Sequence, residues 1–205
     1  AKEALGASSA HAAALWPMVA VGEKKYYFSA MFAALTAYTD ANNADVPYES
    51  PSNKDLRITA TVLKDGTTVA LDQQQANDVL NANGVITAIN ANGFKSWGNN
   101  TAAYPSTTDP KDRWWAVRRF FDWDGNNFIQ TYFQKVDKPG NKRLIQSIVD
   151  SQNIIGNGYV ARDYCAGYRV EFRSDENPVT NLLAGHLTVH TYLAPYIPAE
   201  YIENI

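Results

Sequence analysis

Residues 141–154 read NKRLIQSIVDSQNI, and this stretch carries the clearest secondary-structure signal in the chain. Side chains three and four residues apart lie on the same face of a helix. The stretch has one such face, which consists of Leu144, Ile145, Ile148, Val149 and Gln152. It therefore predicts an amphipathic helix, and the Gly-Asn-Gly stretch at 156–158 is expected to end or break it.

The segments on either side of this helix carry a mixture of strand and helix patterns. Downstream, residues 167–173 and 186–192 alternate in the way that is typical of strands. Upstream, residues 119–135 predict a second helix, and residues 114–117 are compatible with a short strand.

The N-terminal quarter of the chain predicts two helices. Residues 1–16 are rich in alanine and predict a helix that Pro17 ends. Residues 28–38 place apolar side chains at helical spacing and predict the second helix.

Two hairpins and one short helix are predicted between residues 56 and 97. Residues 56–63 predict a strand that turns at Lys64-Asp65-Gly66 and returns over 67–71. Asp72 is a favourable N-cap for a helix over 73–82. A second hairpin is predicted around the Asn92-Gly93 turn, with strands over 85–91 and 94–97.

Helices and strands that alternate without strict βαβ order predict an α+β (mixed α/β) fold. We expect the helices to pack on a mixed, largely antiparallel sheet with an exposed edge. Residues 56–71 and 165–195 are both expected to contribute strands to that common sheet. Residues 1–55 form an N-terminal helical segment and connection, and we expect them to fold as one compact unit with residues 56–205.

The composition is that of a globular protein with little charge. Of 205 residues, 45% are hydrophobic and only 19% are charged, yet there are twelve tyrosines and five tryptophans. An aromatic-rich core would explain this composition. A covered surface would explain it equally well, because interfaces are rich in aromatic residues and poor in Lys, Glu and Asp.

The charge balance argues against nucleic acid as a partner, since the net charge is −3. The distribution is uneven. Residues 111–143 contain eight basic and four acidic residues, whereas residues 171–205 contain one basic and five acidic residues. Head-to-tail association would use such an asymmetry, and chance clustering on a solvated surface would also produce it.

Membrane insertion and disulfide bonding are not predicted. No apolar run approaches the roughly 18 residues of a membrane-spanning helix, and no secretory signal is recognisable. Cys165 is the only cysteine, so the chain cannot form an internal disulfide.

Motifs for catalysis, cofactors and metals fail when they are tested against their geometry. His186 and His190 lie on a predicted strand, where four steps separate side chains by roughly 13 Å, too far for one ion. The segment 122–126 begins like a calcium loop but has Asn127 and Phe133 where the sixth and twelfth positions need Gly and Glu. Gly156 and Gly158 follow a helix rather than the strand of a dinucleotide site. We therefore expect no catalytic residue, no cofactor and no metal.

A dense aromatic and arginine segment lies between residues 114 and 123. Arginine packed on aromatic rings occurs both in protein cores and in interfaces. The segment is therefore either a core helix with its arginines reaching solvent or part of a subunit interface, and its candidate residues are Trp114, Trp115, Arg118 and Arg119.

A series of short segments in fixed order resembles the C-terminal part of contractile tail sheath proteins, a family found in myophages, phage-like bacteriocins and related injection systems. An upstream segment, SPSNK at 50–54, is also similar to the family. The series consists of WGNNT (97–101), DPKD (109–112), VRR (117–119), NKRL (141–144), VAR (160–162), DENP (175–178) and PAE (198–200). Residues 56–205 thus resemble the conserved sheath domain.

This resemblance implies a structural role. Sheath subunits form six-fold rings that stack helically around a tail tube, and the sheath contracts to drive the tube through a target envelope. Subunits exchange terminal arms that add strands to a neighbour's sheet, which gives the exposed sheet edge a role in strand exchange. The implied partners are other copies, the tube protein, and baseplate and terminator proteins, within a tail assembled in the bacterial cytoplasm.

The resemblance also implies site residues. The polar face of the helix over 141–153 is expected to face the tube through Lys142, Arg143, Gln146 and Asp150. The subunit-interface candidates gain three C-terminal members, Ile197, Tyr201 and Ile205. Because the family's arms extend beyond the matched region, the 205-residue chain by itself is expected to be monomeric or weakly associated.

Two other classes of function stay open at this point. A secreted or surface carbohydrate-binding module would use exposed Trp and Tyr side chains. An uncharacterised hydrolase would need carboxylates that converge in a pocket and have shifted pKa values.

Overall fold

The computed structural model describes residue 6 and residues 9–204, and the chain divides into two compact units. Unit 1 comprises the residues up to Phe120 together with the segment from Ile197 onwards. Unit 2 comprises Phe121–Tyr196. Both units contain helices and strands, which confirms the predicted α+β class.

Unit 1 contains two three-stranded sheets. One has the order β1-β5-β6, with β1 parallel to β5 and β5 antiparallel to β6, and the other is antiparallel with the order β3-β2-β4. Its elements are β1 (Ala14–Leu15), β2 (Met18–Val21), β3 (Lys24–Tyr26), α1 (Phe28–Asn42), β4 (Ala60–Val62), α2 (Gln73–Gln75), β5 (Val85–Asn90), β6 (Phe94–Trp97), α3 (Pro110–Arg113) and the start of α4 (Trp115–Tyr132).

The helix predicted over 28–38 is confirmed as α1, and it supplies much of the unit 1 core. Phe28 and Phe32, one turn apart, are buried against Val19 of β2 and Ile86 of β5. Burial of each such side chain stabilises the fold by about 1.5–3 kcal/mol. The face of α1 that contacts both sheets is thus the apolar face that the sequence spacing predicts.

The turn signals between residues 72 and 97 are confirmed. Asp72 accepts a hydrogen bond from the Gln75 amide at 2.7 Å, and the helix that it caps continues through irregular turns to Gly84, whose φ is 65°. Asn92 and Gly93 also have positive φ, at 55° and 112°, as the turn between β5 and β6 requires.

The helix predicted over residues 1–16 is wrong for its C-terminal end. β1 pairs in parallel with β5, and the Trp16 amide donates to the Ile86 carbonyl at 3.1 Å. Alanine favours helix only weakly, so pairing with a buried strand overrides it. Residues 1–5 and 7–8, which the prediction also covered, lie outside the described residues.

Two strand predictions in unit 1 need correction. Residues 115–117 belong to α4, and Trp114 forms only an isolated bridge with Asn100. The strand predicted over 56–63 is limited to β4. The return over 67–71 follows the predicted turn but pairs only locally, through the bridge between Val62 and Thr68.

Unit 2 consists of a two-stranded ribbon with helices around it. The ribbon is antiparallel and joins Glu171 to His190 and Tyr168 to Leu193. Its elements are the rest of α4, α5 (Lys142–Ala161), β7 (Cys165–Glu171), α6 (Val179–Leu183) and β8 (His190–Pro195). A common sheet for residues 56–71 and 165–195 is wrong, because β4 pairs with β2 whereas β7 and β8 pair with each other.

The helix predicted over 141–154 is confirmed as α5, but the expectation that it ends at the glycines is wrong. A Cβ atom on Gly156 would lie 1.8 Å from Cδ1 of Tyr168 on β7. Gly156 therefore allows the helix and the strand to approach closely, and α5 continues to Ala161.

A buried polar chain joins α4, α5 and β7. Gln152 donates from Nε2 to the Tyr168 hydroxyl at 2.7 Å, and that hydroxyl donates to both carboxylate oxygens of Asp124 at 3.0 and 3.1 Å. Desolvation by burial raises the pKa of Asp124 above its ordinary value and raises that of Tyr159 to about 12. The chain thus encloses a carboxyl group that is costly to ionise.

We expect Gly156→Ala to lower the free energy of unfolding by about 1–3 kcal/mol, because the new methyl group would displace a tyrosine ring held by two hydrogen bonds. Gly158→Ala is the matched control, since a Cβ there meets nothing within 4 Å. It should stabilise the helix by about 0.5–1 kcal/mol. Urea denaturation measures both, and equal effects of the two substitutions would contradict this packing.

We also expect the stability of the Asp124→Asn variant, relative to that of the native protein, to increase as the pH rises. The raised folded-state pKa of Asp124 contributes stability that is present below the ordinary value of 3.8 and is lost as the pH rises through the raised pKa. Asparagine avoids this loss because it does not ionise. Urea denaturation from pH 4 to pH 8 should therefore show that the stability of the variant relative to the native protein increases with pH. A constant or falling difference would refute a desolvated carboxyl group at this position.

Candidate functional site

The β7–β8 ribbon has two outer edges, because each strand has one neighbour in the sheet. Outer edges carry main-chain N–H and C=O groups that can pair with another strand. The two edges differ in how much of them the surrounding residues already use.

The outer edge of β7 is occupied at Val170. The Asn153 side chain on α5 accepts from the Val170 amide at 2.8 Å and donates to its carbonyl at 2.8 Å. A side-chain amide thus takes the place of a neighbouring strand's peptide group. No local pattern indicates this role, since a polar residue on a helix next to a glycine-rich stretch has no distinctive spacing.

The outer edge of β8 has no side chain bonded to its main chain among the described residues, and we call it the open edge. The N–H and C=O groups of Val170 point to Asn153 and away from β8. The N–H and C=O groups of its cross-strand partner Thr191 must therefore point away from β7. By the same alternation, the main-chain N–H and C=O groups of Leu193 also point outward. Among the described residues, no strand pairs with that side of β8.

Polar contacts fix the conformation of the ribbon and the loop before β8. The Asn177 side chain, which is buried, bonds both main-chain groups of Thr188 at 2.8 Å. The Tyr192 hydroxyl donates to Glu171 at 2.8 Å and accepts from Arg173 at 3.1 Å. These contacts therefore hold β8, the strand with the open edge, in a fixed conformation.

The first turn of α5 carries positive charge where a helix favours negative charge. Asn141 caps the helix by accepting from the Leu144 amide at 2.9 Å, but Lys142 and Arg143 follow it directly and no acidic residue lies in that turn. Both side chains are exposed. The N-terminal end of the helix dipole is positive, so two cations there are locally unfavourable.

The other two residues predicted for the polar face of α5 bond to each other. Gln146 donates from Nε2 to the Asp150 carboxylate at 2.7 Å, and both are exposed. The structure thus places all four predicted residues on the solvent-exposed surface of one helix.

The four aromatic and arginine interface candidates lie against the interior of unit 1. Trp114 is buried, and Trp115 packs against the buried ring of Phe32 with a centroid distance of 6.2 Å. Arg118 donates to Asp112 at 2.8 Å, and Arg119 makes two hydrogen bonds with Asp40. The geometry favours a packing role for these four residues, and their contact with a neighbouring subunit stays a prediction.

The C-terminal interface candidates are much more accessible. Ile197 and Tyr201 are 47% and 82% exposed, in a segment without regular secondary structure whose Glu200 forms a 3.3 Å ion pair with Arg113 of α3. Ile205 lies outside the described residues. Exposed apolar groups in such a segment are available for contact with another chain.

The described residues of unit 1 form a groove, and its carboxylate is already paired. The groove in unit 1, of about 380 Å³, is lined mainly by alanine and aromatic side chains, and its carboxylate, Asp40, is held by Arg119. The described residues contain no group of three or more metal-ligand side chains, and none of their helices is long and apolar enough to cross a membrane.

Comparisons with known proteins give sequence relatives of one kind. The chain is 31% identical over 149 residues to the tail sheath protein of Burkholderia phage BcepMu, a match that covers 71% of this chain and 31% of the relative. It is 25% identical over 196 residues to the major tail sheath protein of Serratia phage KSP20, which covers 93% of this chain and 48% of the relative. The chain thus spans about a third to a half of the length of these relatives. No family model matches the chain.

Solved structures give the same fold. A sheath complex of an extracellular contractile injection system, in its contracted state, superposes with a TM-score of 0.83 at 18% identity, over 100% of this chain and 57% of that chain. The helical sheath of the anti-feeding prophage gives a TM-score of 0.81 at 20% identity, over 98% and 56%. The sequence and the fold together identify this chain as a relative of the contractile tail sheath proteins.

Proposed function

We propose that this chain is the conserved part of a structural subunit that polymerises helically around a tail tube and contracts to drive the tube through a target envelope. The observation that carries this proposal is the 31% identity to a phage tail sheath protein over 149 residues, in a chain that has the sheath fold. The subunit has a mechanical role and no catalytic one. Electron microscopy of the complete protein in which this sequence occurs, expressed with its tube protein, should reveal sheathed tubes. If the micrographs showed dispersed particles and no sheathed tubes, the proposal would be refuted.

The open edge of β8 fits strand addition by a neighbouring subunit. Main-chain hydrogen bonds, each worth about 0.5–1.5 kcal/mol net, would link copies without depending on side-chain identity. Such a link would survive rigid-body rotation of subunits, which is the motion that contraction needs. The accessible Ile197 and Tyr201 would contact a neighbouring subunit in the same assembly.

The exposed residues of α5, Lys142, Arg143, Gln146 and Asp150, are proposed to face the tube. The unfavourable placement of two cations at the helix N-terminus supports an anionic partner there, because local helix stability gains nothing from it. Contacts between exposed charges are individually worth about 0–1 kcal/mol. Many of them would hold a tube, yet each could be released during contraction.

The remaining partners follow from the same proposal. The sheath would end at a baseplate and at a terminator protein, and it would be assembled in the bacterial cytoplasm as part of a phage or phage-like tail. Residues 56–205 would be the conserved sheath domain. The interface roles of Trp114, Trp115, Arg118, Arg119 and Ile205 belong to this proposal as well.

Thr191→Pro should abolish sheath assembly while leaving the subunit folded. The Thr191 N–H points to the open side of β8, so proline removes a donor that the ribbon does not use. Tyr192→Pro is the contrasting control, because the Tyr192 N–H points to β7 and its loss should destabilise the ribbon itself. Circular dichroism and electron microscopy of both variants separate the two effects. Normal sheaths from Thr191→Pro would exclude the β8 edge as the acceptor.

Reversal of charge at Lys142 and Arg143 to glutamate should weaken assembly on the tube and leave the subunit as stable or more stable. Acidic residues in the first helical turn gain about 0.3–1 kcal/mol each from the helix dipole. Loss of tube binding would therefore not reflect unfolding. Co-sedimentation with tubes and thermal denaturation measure the two properties. Undiminished binding by the double variant at physiological salt would show that this helix does not face the tube.

A further inference from the structure

Three large apolar side chains near the end of α4 form an exposed patch in unit 2. Ile129, Phe133 and Val136 are 62%, 72% and 64% exposed. Ile129 and Phe133 are one helical turn apart, and the 3-10 turn over Phe133–Lys135 leads directly to Val136. Single exposed apolar residues are common, but a contiguous group of large ones marks an interaction surface. We call this group the α4 patch.

A second exposed apolar group in unit 2 lies on α6. Val179, Leu182 and Leu183 are 70%, 41% and 83% exposed. Their spacing of three and four residues places them on one face of the short helix. We call this group the α6 patch.

The two patches lie in chain segments of opposite charge. Residues 133–140, which include the end of the α4 patch, contain Lys135 and Lys138 against Asp137, a net charge of +1. Neither lysine forms an ion pair with any described residue.

The segment that leads into α6 carries an excess of acid. Residues 171–185 contain Glu171, Asp175 and Glu176 against Arg173 alone, a net charge of −2. Arg173 is shared between Asp175 at 2.7 Å and Glu176 at 3.6 Å, and Arg169 on β7 lies 3.5 Å from Glu171, so two cations balance part of the charge of the three carboxylates. Charges that are not in direct contact still interact within a Debye length of about 8–10 Å.

We propose that the α4 patch of one copy of this chain binds the α6 patch of a second copy. Each patch offers apolar area to the other, and the flanking charges attract across the contact. A contact between two α4 patches would bring the basic segments together, and a contact between two α6 patches would bring the acidic segments together. The heterologous pairing avoids both repulsions.

A heterologous contact leaves an unused patch on each member of a pair, so it can propagate from copy to copy. It therefore deepens the proposed function, on which it rests, by naming two surfaces through which sheath subunits meet. Three side chains on each side bury less than the roughly 1,200–2,000 Å² of a stable interface. The contact is thus weak by itself, and it would be observed only at high concentration of the isolated chain.

The test uses Phe133→Asp and Leu183→Asp, each of which places a charge in one patch at a well-exposed position. In sedimentation equilibrium at several hundred micromolar, the native chain should self-associate. Each variant alone should associate at least about 10-fold more weakly. An equimolar mixture should form dimers with the native affinity and no larger species, because only one intact pair of patches remains. Ile154→Asp is the matched control, since Ile154 is 72% exposed on α5 and should tolerate the change.

The proposal is overturned if the native chain stays monomeric, if the mixture fails to form dimers, or if Ile154→Asp is as damaging as the two patch variants. The same variants in the complete protein separate this contact from the proposed function. Normal sheaths from both variants would refute the contact and leave the function intact. If the native complete protein formed no sheaths while the mixture still dimerised, the contact would stand and the proposed function would fail.

Discussion

The close approach of α5 and β7 is the constraint on which unit 2 depends. The Tyr168 ring occupies the space where a Cβ on residue 156 would lie, so only glycine permits this approach. The approach lets the Tyr168 hydroxyl bond both Gln152 and Asp124, and it lets Asn153 bond the Val170 main chain. A helix that stood farther away would leave these buried polar groups unsatisfied, at a cost of about 1–3 kcal/mol each. The absence of a Cβ at Gly156 thus determines both the packing of α5 on β7 and the hydrogen bonds of the buried polar groups.

The same contact decides which edge of the ribbon is open. Asn153 satisfies the main chain of β7 at Val170, whereas the outward main-chain groups of Thr191 and Leu193 on β8 have no partner among the described residues. A natural protein normally protects such an edge. An unprotected edge on a strand braced by Asn177 and Tyr192 is what a subunit joined to its neighbours by strand addition needs. The outward main-chain groups of β8, on a strand held in place by side-chain contacts, therefore fit the proposed role of a subunit in an assembly.

Several surface features of the chain are those that the proposals assign to partners. Lys142 and Arg143 oppose the dipole of their own helix, and the α4 and α6 patches expose large apolar side chains to water. None of these features stabilises the isolated chain. Local choices that conflict with local stability are expected where a sequence serves a function. Their separation into a charged helix end and two apolar patches fits an assembly that contacts one partner by exchangeable ion pairs and its own copies by apolar surface.

Local signals in the sequence were sufficient for the elements whose energetics are local. The periodic faces of α1 and α5, the cap at Asp72 and the turn at Asn92-Gly93 depend on residues within a few positions of one another, and the structure confirms them. The ordered segments between residues 50 and 200 also indicated the sheath family, which the relatives support. Tertiary structure decided the rest. The pairing of β1 with β5 overrode an alanine-rich helix, the Tyr168 ring turned an expected helix break at Gly156 into a packing site, and the separate pairing of β4 and β7 replaced one common sheet by sheets in two units. Each of these outcomes depends on residues far apart in the chain, whose approach no local pattern specifies. Gln152 on an otherwise apolar helix face was the one visible sign of the buried polar chain, but its partners, Tyr168 and Asp124, became apparent only once the fold had brought three elements together.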